Sequence, residues 1–478
     1  MFRRLAHAVA ALSLSLAAPL LQAAEAIPNA VAAALDRAKV PRDAVVAMVQ
    51  EVAASRPRLT WRIDQPANPA SLMKLLTTYA ALDLLGPAWS WSTPVWLQGP
   101  VRDGVLDGNL VIKGSGDPKL VVERIWLLLK RVQQLGVREI RGDIVLDRSA
   151  FVVPEQSPAD FDGEGLRPYN VGADALMLNY KAVVFTITPD PARGIAAIAA
   201  DVPLAGVRYD ASVPLAGSTC ADWRGALRAD FSDPARFTFA GSYPATCGER
   251  VWAVAYADAK RYNERAIAGL WRDIGGRLSG GVRDGTAPTE KPSFELGSPT
   301  LAEVVRDMNK YSNNVMAQQL FLTLALTQRG SGTPEAAREV LERWAAERFG
   351  AAAAAGLVID NGSGLSREGR VSARLLMRLL QSAWGSPVMP ELMSSLPVSG
   401  LDGTLTRSRA TLGRAHLKTG SLRDVAGVAG YVLANSGRRY ALVAIANHPN
   451  ADAARAAFEA LVQWTADDGA SLPEQPAH

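Results

Sequence analysis

The chain has 478 residues, too many for one ordinary core, so two or three domains are expected. Hydrophobic residues make up 48% and charged residues 21%, which excludes the disordered and fibrous classes. The formal charge is only +4, and no Lys/Arg cluster forms a stripe, which argues against nucleic acid as a partner.

Residues 1–26, MFRRLAHAVAALSLSLAAPLLQAAEA, open with Arg3 and Arg4, run apolar to Leu21 and end on Ala24-Glu25-Ala26. This is the pattern of a secretory signal peptide. A retained anchor needs about 20 apolar residues, and this run is short and holds His7 and Pro19. An exported, periplasmic protein is expected.

A helix, AIPNAVAAALDRAKV, then leads to two alternating strands, DAVVAMVQEV and PRLTWRID. NPASLMKLLTTYAALDLLG follows at 68–86 and reads as a helix. Asn68 suits its cap, Pro69 its first position, and Gly86-Pro87 its end. Leu72, Leu75, Leu76 and Tyr79 supply the buried face. From 88 to 292 short strands, Gly/Asp turns and isolated helices alternate. Residues 181–250 look all-β and contain Cys220 and Cys247, the only cysteines. In an oxidising compartment such a pair is most simply one disulfide; two free thiols are the alternative. After 300 helices return, and the chain ends in three strands, RAHLKTGSL, GVAGYVLA and RRYALVAIAN, and a last helix.

Three short patterns carry chemistry. Ser71 and Lys74 stand at i and i+3 and so share a helix face. Free N–H groups and the positive dipole end favour an anion there, which suits a hydroxyl nucleophile with an amine to take its proton. Ser312 and Asn314 fall in KYSNNVMAQQL, in an inter-helix turn. Lys418-Thr419-Gly420 falls on a strand near the C-terminus, followed by Ser421. Gly420 lacks a side chain, so a ligand could lie against the strand as an added strand. Each pattern alone has a bland reading: a polar helix edge, a capping serine, an edge strand guarded by lysine.

The chain has 51 Lys+Arg but only ten lysines. Arginine cannot replace a lysine that must lose its proton, so Lys74 and Lys418 stand out. Rival chemistries lack parts. There is no G-x-S-x-G, no H-E-x-x-H, no P-loop and no G-x-G-x-x-G, and neither metal nor cofactor is expected.

The order S-x-x-K, S-x-N, K-T-G belongs to the penicillin-recognising serine acyl enzymes. With about 240 residues between Lys74 and Ser312, and with GSGDPKL, IRGDIVLDRSAF, DNGSGLSREGRVSA and LPVSGLDGTL matching, the chain resembles the class C low-molecular-mass penicillin-binding proteins. These are D-alanyl-D-alanine carboxypeptidase/endopeptidases. The resemblance implies an α/β fold: a transpeptidase-like domain, with an antiparallel sheet flanked by helices and a helical lobe, at 27–87 and 293–478. An inserted domain takes 88–180 and 251–292, and a second nested β-rich insertion takes 181–250. It implies peptidoglycan stem peptides as substrate, β-lactams as covalent inhibitors, and at most loose association with the membrane surface or cell wall.

It also implies roles. Ser71 forms the acyl-enzyme and Lys74 accepts its proton. Ser312 relays the proton, Asn314 orients Lys74 and the substrate, and Lys418 and Thr419 bind the terminal carboxylate. The backbone N–H groups of Ser71 and Ser421 form the oxyanion hole. Some members read a diaminopimelate amine with an acid from the inserted domain; Glu164 and Asp174 are the candidates by proximity. A β-lactamase or a non-catalytic β-lactam sensor would share the motifs. The long insertion and the intact chemical groups favour the peptidase.

Overall fold

The structure, a computed structural model, describes residues 26–217 and 219–469. The export signal read in residues 1–26 lies outside them, but for Ala26. Among the described residues no helix is long and apolar enough to cross a membrane.

The strand Val45–Glu51, VVAMVQE, is buried almost throughout. Its side chains alternate between two cores. Val46 and Met48 join the core of the helical lobe, while Val45, Ala47 and Val49 join a core with the first and last helices. A short, nearly unbroken apolar run is what a strand covered on both faces requires. It pairs antiparallel with Pro57–Trp61 on one side and Arg439–Asn447 on the other. Val425–Leu433 follows, and Ala415–Leu422 forms the edge, all antiparallel. Asn29–Ala38 and Arg455–Ala466 cover one face through Leu35, Phe458 and Leu461. Met73–Leu85 and Ala373–Trp384 lie on the other face, through residues such as Leu75 and Leu376.

The chain leaves this unit after Gly86-Pro87. Ser90–Gln98 going out and Phe294–Thr300 coming back are antiparallel neighbours, with Pro94 opposite Glu295. The ends of the intervening stretch are thus held side by side, which lets a long excursion leave the helical lobe intact. These two strands belong to a five-stranded sheet with Asn109–Lys113, Ile144–Asp147 and Val282–Asp284. Asn109–Lys113 and Ile144–Asp147 are parallel, and the helix Val122–Gln134 crosses between them, as parallel pairing demands.

Residues 182–255 build a further sheet, with Ala182–Asp190 central between Ile195–Ala200 and Arg250–Ala255. Phe185, Phe231, Phe237 and Phe239 pack together over it. The stretch expected to be all-β also holds a short helix, Trp223–Leu227, capped by the Asp222 side chain accepting from Gly225 N–H. Local capping overrides the β-rich surroundings there. Cys220 and Cys247 form a disulfide.

Candidate active site

The helix of the first motif does not begin where the sequence suggests. One 3-10 turn, Ala70–Leu72, precedes the α-helix Met73–Leu85, so Ser71 sits on the turn. Asn68 still organises the entry. Its side-chain oxygen accepts from Ala70 N–H at 2.9 Å, and its amide donates to the Ser366 carbonyl. Ala70 is held at φ +46, a left-handed conformation that costs a residue with a Cβ on the order of 1–3 kcal/mol.

Two glycines close on this turn. A Cβ on Gly364, itself at φ +77, would lie 1.8 Å from the Ala70 carbonyl oxygen. A Cβ on Gly420 would lie 2.6 Å from the Pro69 carbonyl oxygen and 3.3 Å from Leu72. That space is filled by the Ala70–Leu72 turn, and glycine lets the strand approach it. Leu72, Leu75, Leu76 and Tyr79 anchor the turn and helix, each at most 1% exposed.

Lys74 is fully buried. Its Nζ lies 3.0 Å from Ser71 Oγ, 2.7 Å from Asn314 Oδ1 and 2.7 Å from the Ser363 carbonyl oxygen. Burial first, and the Lys418 charge second, push its pKa well below the usual lysine range. Two of the three partners can only accept. A neutral amine donates its two hydrogens to them and turns its lone pair to the third, the Ser71 hydroxyl.

Ser312 occupies the turn between helices Leu301–Lys310 and Asn314–Arg329, at φ +56. Neighbours over-determine this strained position. Buried Asn309 donates to Thr78 Oγ1 on the helix Met73–Leu85 and to Ser395 Oγ. Lys310 pairs with Asp402 at 2.5 Å. Lys418, also fully buried, donates to Ser312 Oγ at 2.8 Å and to the Thr419 carbonyl at 2.9 Å. Burial lowers its pKa to about 7.

The sequence expectation cast Lys418 as a charge for the substrate carboxylate. Here its amine is enclosed and committed to Ser312, and the outward hydroxyls are those of Thr419 and Ser421. Thr419 Oγ1 lies 2.8 Å from Thr404 Oγ1, and Arg455 donates to Ser421 Oγ at 2.6 Å. The strand Ala415–Leu422 is the edge of its sheet. Its outer side is bridged by Val398 at His416 and by Pro397 at Leu417.

The three motifs thus converge. Ser71, Lys74 and Asn314 form one contact chain, Lys418 and Ser312 another, and the 312–314 turn joins them. Sequence reasoning missed the Ser363 carbonyl, Asn309, Thr404 and Arg455. Of the two acids considered for a diaminopimelate amine, Asp174 is occupied. Its side chain is 5% exposed and pairs with Lys181 at 2.6 Å and Arg148 at 2.9 Å. The Glu164 side chain is 59% exposed and faces Arg167 at 3.3 Å.

Over residues 27–468 the chain matches the peptidase family described as D-Ala-D-Ala carboxypeptidase 3 (S13). A D-alanyl-D-alanine carboxypeptidase of Actinomadura sp. (strain R39) is 30% identical over 394 residues, spanning 76% of this chain and 70% of that protein. The crystal structure of penicillin binding protein 4 (dacB) from Haemophilus influenzae matches with a TM-score of 0.71 at 21% identity, covering 91% of this chain and 99% of that one. A penicillin G-acylated predatory endopeptidase from Bdellovibrio bacteriovorus matches at 0.53 and 14% identity, covering 91% of this chain and 95% of that one. The two structural likenesses are likenesses of fold.

Proposed function

The chain belongs to the D-Ala-D-Ala carboxypeptidase 3 (S13) family, and from that premise we propose how its own residues divide the reaction. The enzyme is a serine D-alanyl-D-alanine carboxypeptidase/endopeptidase that works through an acyl-enzyme and binds penicillin covalently. In our reading Ser71 Oγ attacks the penultimate D-Ala carbonyl, and neutral Lys74 takes its proton. Ser312, held by Lys418, passes a proton to the leaving amine. Thr419 and Ser421 receive the substrate carboxylate. The backbone N–H groups of Ser71 and Ser421 stabilise the oxyanion. Gly420 lets the substrate-bearing strand approach the nucleophile's turn. Asn314 fixes Lys74, and Glu164 is the acid left to meet a diaminopimelate amine.

One observation carries this reading. Lys74 is a fully buried amine with two acceptors and the Ser71 hydroxyl as its partners. That arrangement makes a base rather than a cation. We place the mature chain in the periplasm, loosely associated with the membrane surface or the wall; the Cys220–Cys247 disulfide suits an oxidising compartment.

The test is labelling with a fluorescent penicillin alongside release of D-Ala from a D-Ala-D-Ala peptide. Ser71→Ala, folded by circular dichroism, should give neither signal. Stoichiometric labelling of that variant would assign the nucleophile elsewhere.

A further inference from the structure

We propose that a groove running from Ser312 along the inserted region holds the leaving half of a cross-linked stem peptide, and that Tyr311 and Tyr180 line its path. This rests on the acyl-transfer reading above and deepens it. The groove encloses about 680 Å³. Residues 311–315 are in its wall, together with Val122, Glu123, Tyr169 and Tyr180.

The first observation is where the groove begins. Ser312 is part of its wall, and the group that protonates a leaving amine must stand next to that amine. The leaving residue therefore starts at this end. A terminal D-alanine extends no further than a methyl group and leaves the groove empty. In a cross-link the same amide nitrogen belongs to a diamino acid, whose methylene tether leads to a second peptide. The chemistry is unchanged. The amide C–N bond breaks, the Ser71 ester forms, and the proton taken from Ser71 ends on the leaving amine.

The second observation is Tyr311. It directly precedes Ser312 and is 72% exposed, the most exposed large hydrophobic side chain among the described residues. A single exposed ring is ordinary, but this one stands at the groove's catalytic end.

The third is backbone strain. Asn179, Tyr180 and Lys181 lie at φ +41, +54 and +48, three successive left-handed residues and none of them glycine. Local ties hold the strain: Asn179 donates to Asp201 at 2.9 Å, and Lys181 pairs with Asp174. The turn sets Tyr180 in the groove lining. Strain of this kind persists where the surroundings fix it, and it clusters at ligand clamps. The lining mixes Val122, Val315 and the three tyrosines, which suit a methylene tether, with Lys119, Glu123, Asp201, Asn313 and Asn314, which suit the polar groups of a stem.

The experiment uses the full mature chain and two substrates, a stem pentapeptide ending in D-Ala-D-Ala and a cross-linked tetrapeptide dimer. Tyr311→Ala and the groove-filling Val122→Trp should each lower kcat/KM for the dimer roughly tenfold, mainly through KM, while the pentapeptide value and the penicillin acylation rate stay within about twofold. Tyr311→Phe should keep dimer cleavage. Equal losses on both substrates, or no loss on either, would overturn the proposal. Wild-type enzyme that trims the pentapeptide but leaves the dimer intact would overturn the groove assignment alone. Wild-type enzyme that takes up no penicillin would overturn the reading beneath it.

Discussion

Four buried lysines divide into two kinds. Lys74 and Lys418, where the three motifs converge, are 0% exposed; Lys181, in the inserted region, and Lys310, beside the Ser312 turn, are 7% exposed. Lys181 has the Asp174 carboxylate at 2.6 Å and Lys310 has Asp402 at 2.5 Å. Lys74 and Lys418 instead meet hydroxyls, a carboxamide and backbone carbonyls. Burial penalises the ammonium in all four places, and a carboxylate offsets that cost only in the second pair. The partner, more than the burial, separates the two pairs.

Removing the base should have the largest effect. Lys74→Met and Lys74→Arg are each expected to slow penicillin acylation by about 10³-fold or more, since neither can take the Ser71 proton. Stopped-flow acylation with one penicillin measures this. A loss under tenfold would put Lys74 with Lys181 and Lys310.

Lys418→Arg comes next. A guanidinium does not fit an enclosure shaped for an amine, so acylation should fall roughly 10²-fold, close to the loss in Lys418→Ala. Clear rescue by arginine would mean that charge alone is needed there. The same site leaves a stability signature. Its folded pKa of about 7 lies below the unfolded value near 10.4. The unfolded chain therefore binds more protons between those pH values, and stability should rise with pH across them. Lys418→Met should lose that part of the rise in urea titrations at pH 7 and pH 9.

The inserted region should respond in stability. Reducing the Cys220–Cys247 bond, which spans 27 residues in sequence, should cost about 3–4 kcal/mol as an upper figure. It should loosen the insertion while native enzyme still acylates. Lys181→Met strips one of two cations from buried Asp174 and should cost about 2–3 kcal/mol, less than the full penalty for an unpaired buried charge because Arg148 remains. Both are read as urea midpoints beside acylation rates. A Lys181→Met enzyme that stays stable but cannot acylate would erase the distinction between the two kinds of lysine.

Much of this was legible in the sequence because catalysis needs particular side chains at particular spacings. Ser71, Lys74, Ser312, Asn314 and Lys418 could be named from such spacings, and the structure brings them together. The strand Val45–Glu51 was expected from an alternating pattern; the strand exists, but it is buried on both faces. What escaped was carried by the backbone. The Ser363 carbonyl holds Lys74, yet an acceptor that any residue can supply leaves no mark in residue type. The left-handed Ala70 moved the helix start, because strain at one residue is imposed by tertiary neighbours. Gly420 was visible as a missing side chain, but not as the place where Pro69 packs. The scarcity of lysine pointed to Lys74 and Lys418, and equally to Lys181 and Lys310. Only the carboxylates beside the latter two tell them apart.

The central claim is that Lys74 is neutral and poised at working pH. The second-order rate of acylation by one penicillin, measured from pH 5 to pH 10 on wild-type enzyme, tests it most directly. With the Lys74 pKa held well below the usual lysine range and the Lys418 pKa about 7, the rate should rise on the acid side, reach its maximum near neutrality and fall as Lys418 loses its proton. A rate that climbs tenfold per pH unit up to pH 10, as an ordinary lysine near pKa 10.4 would dictate, would contradict the account.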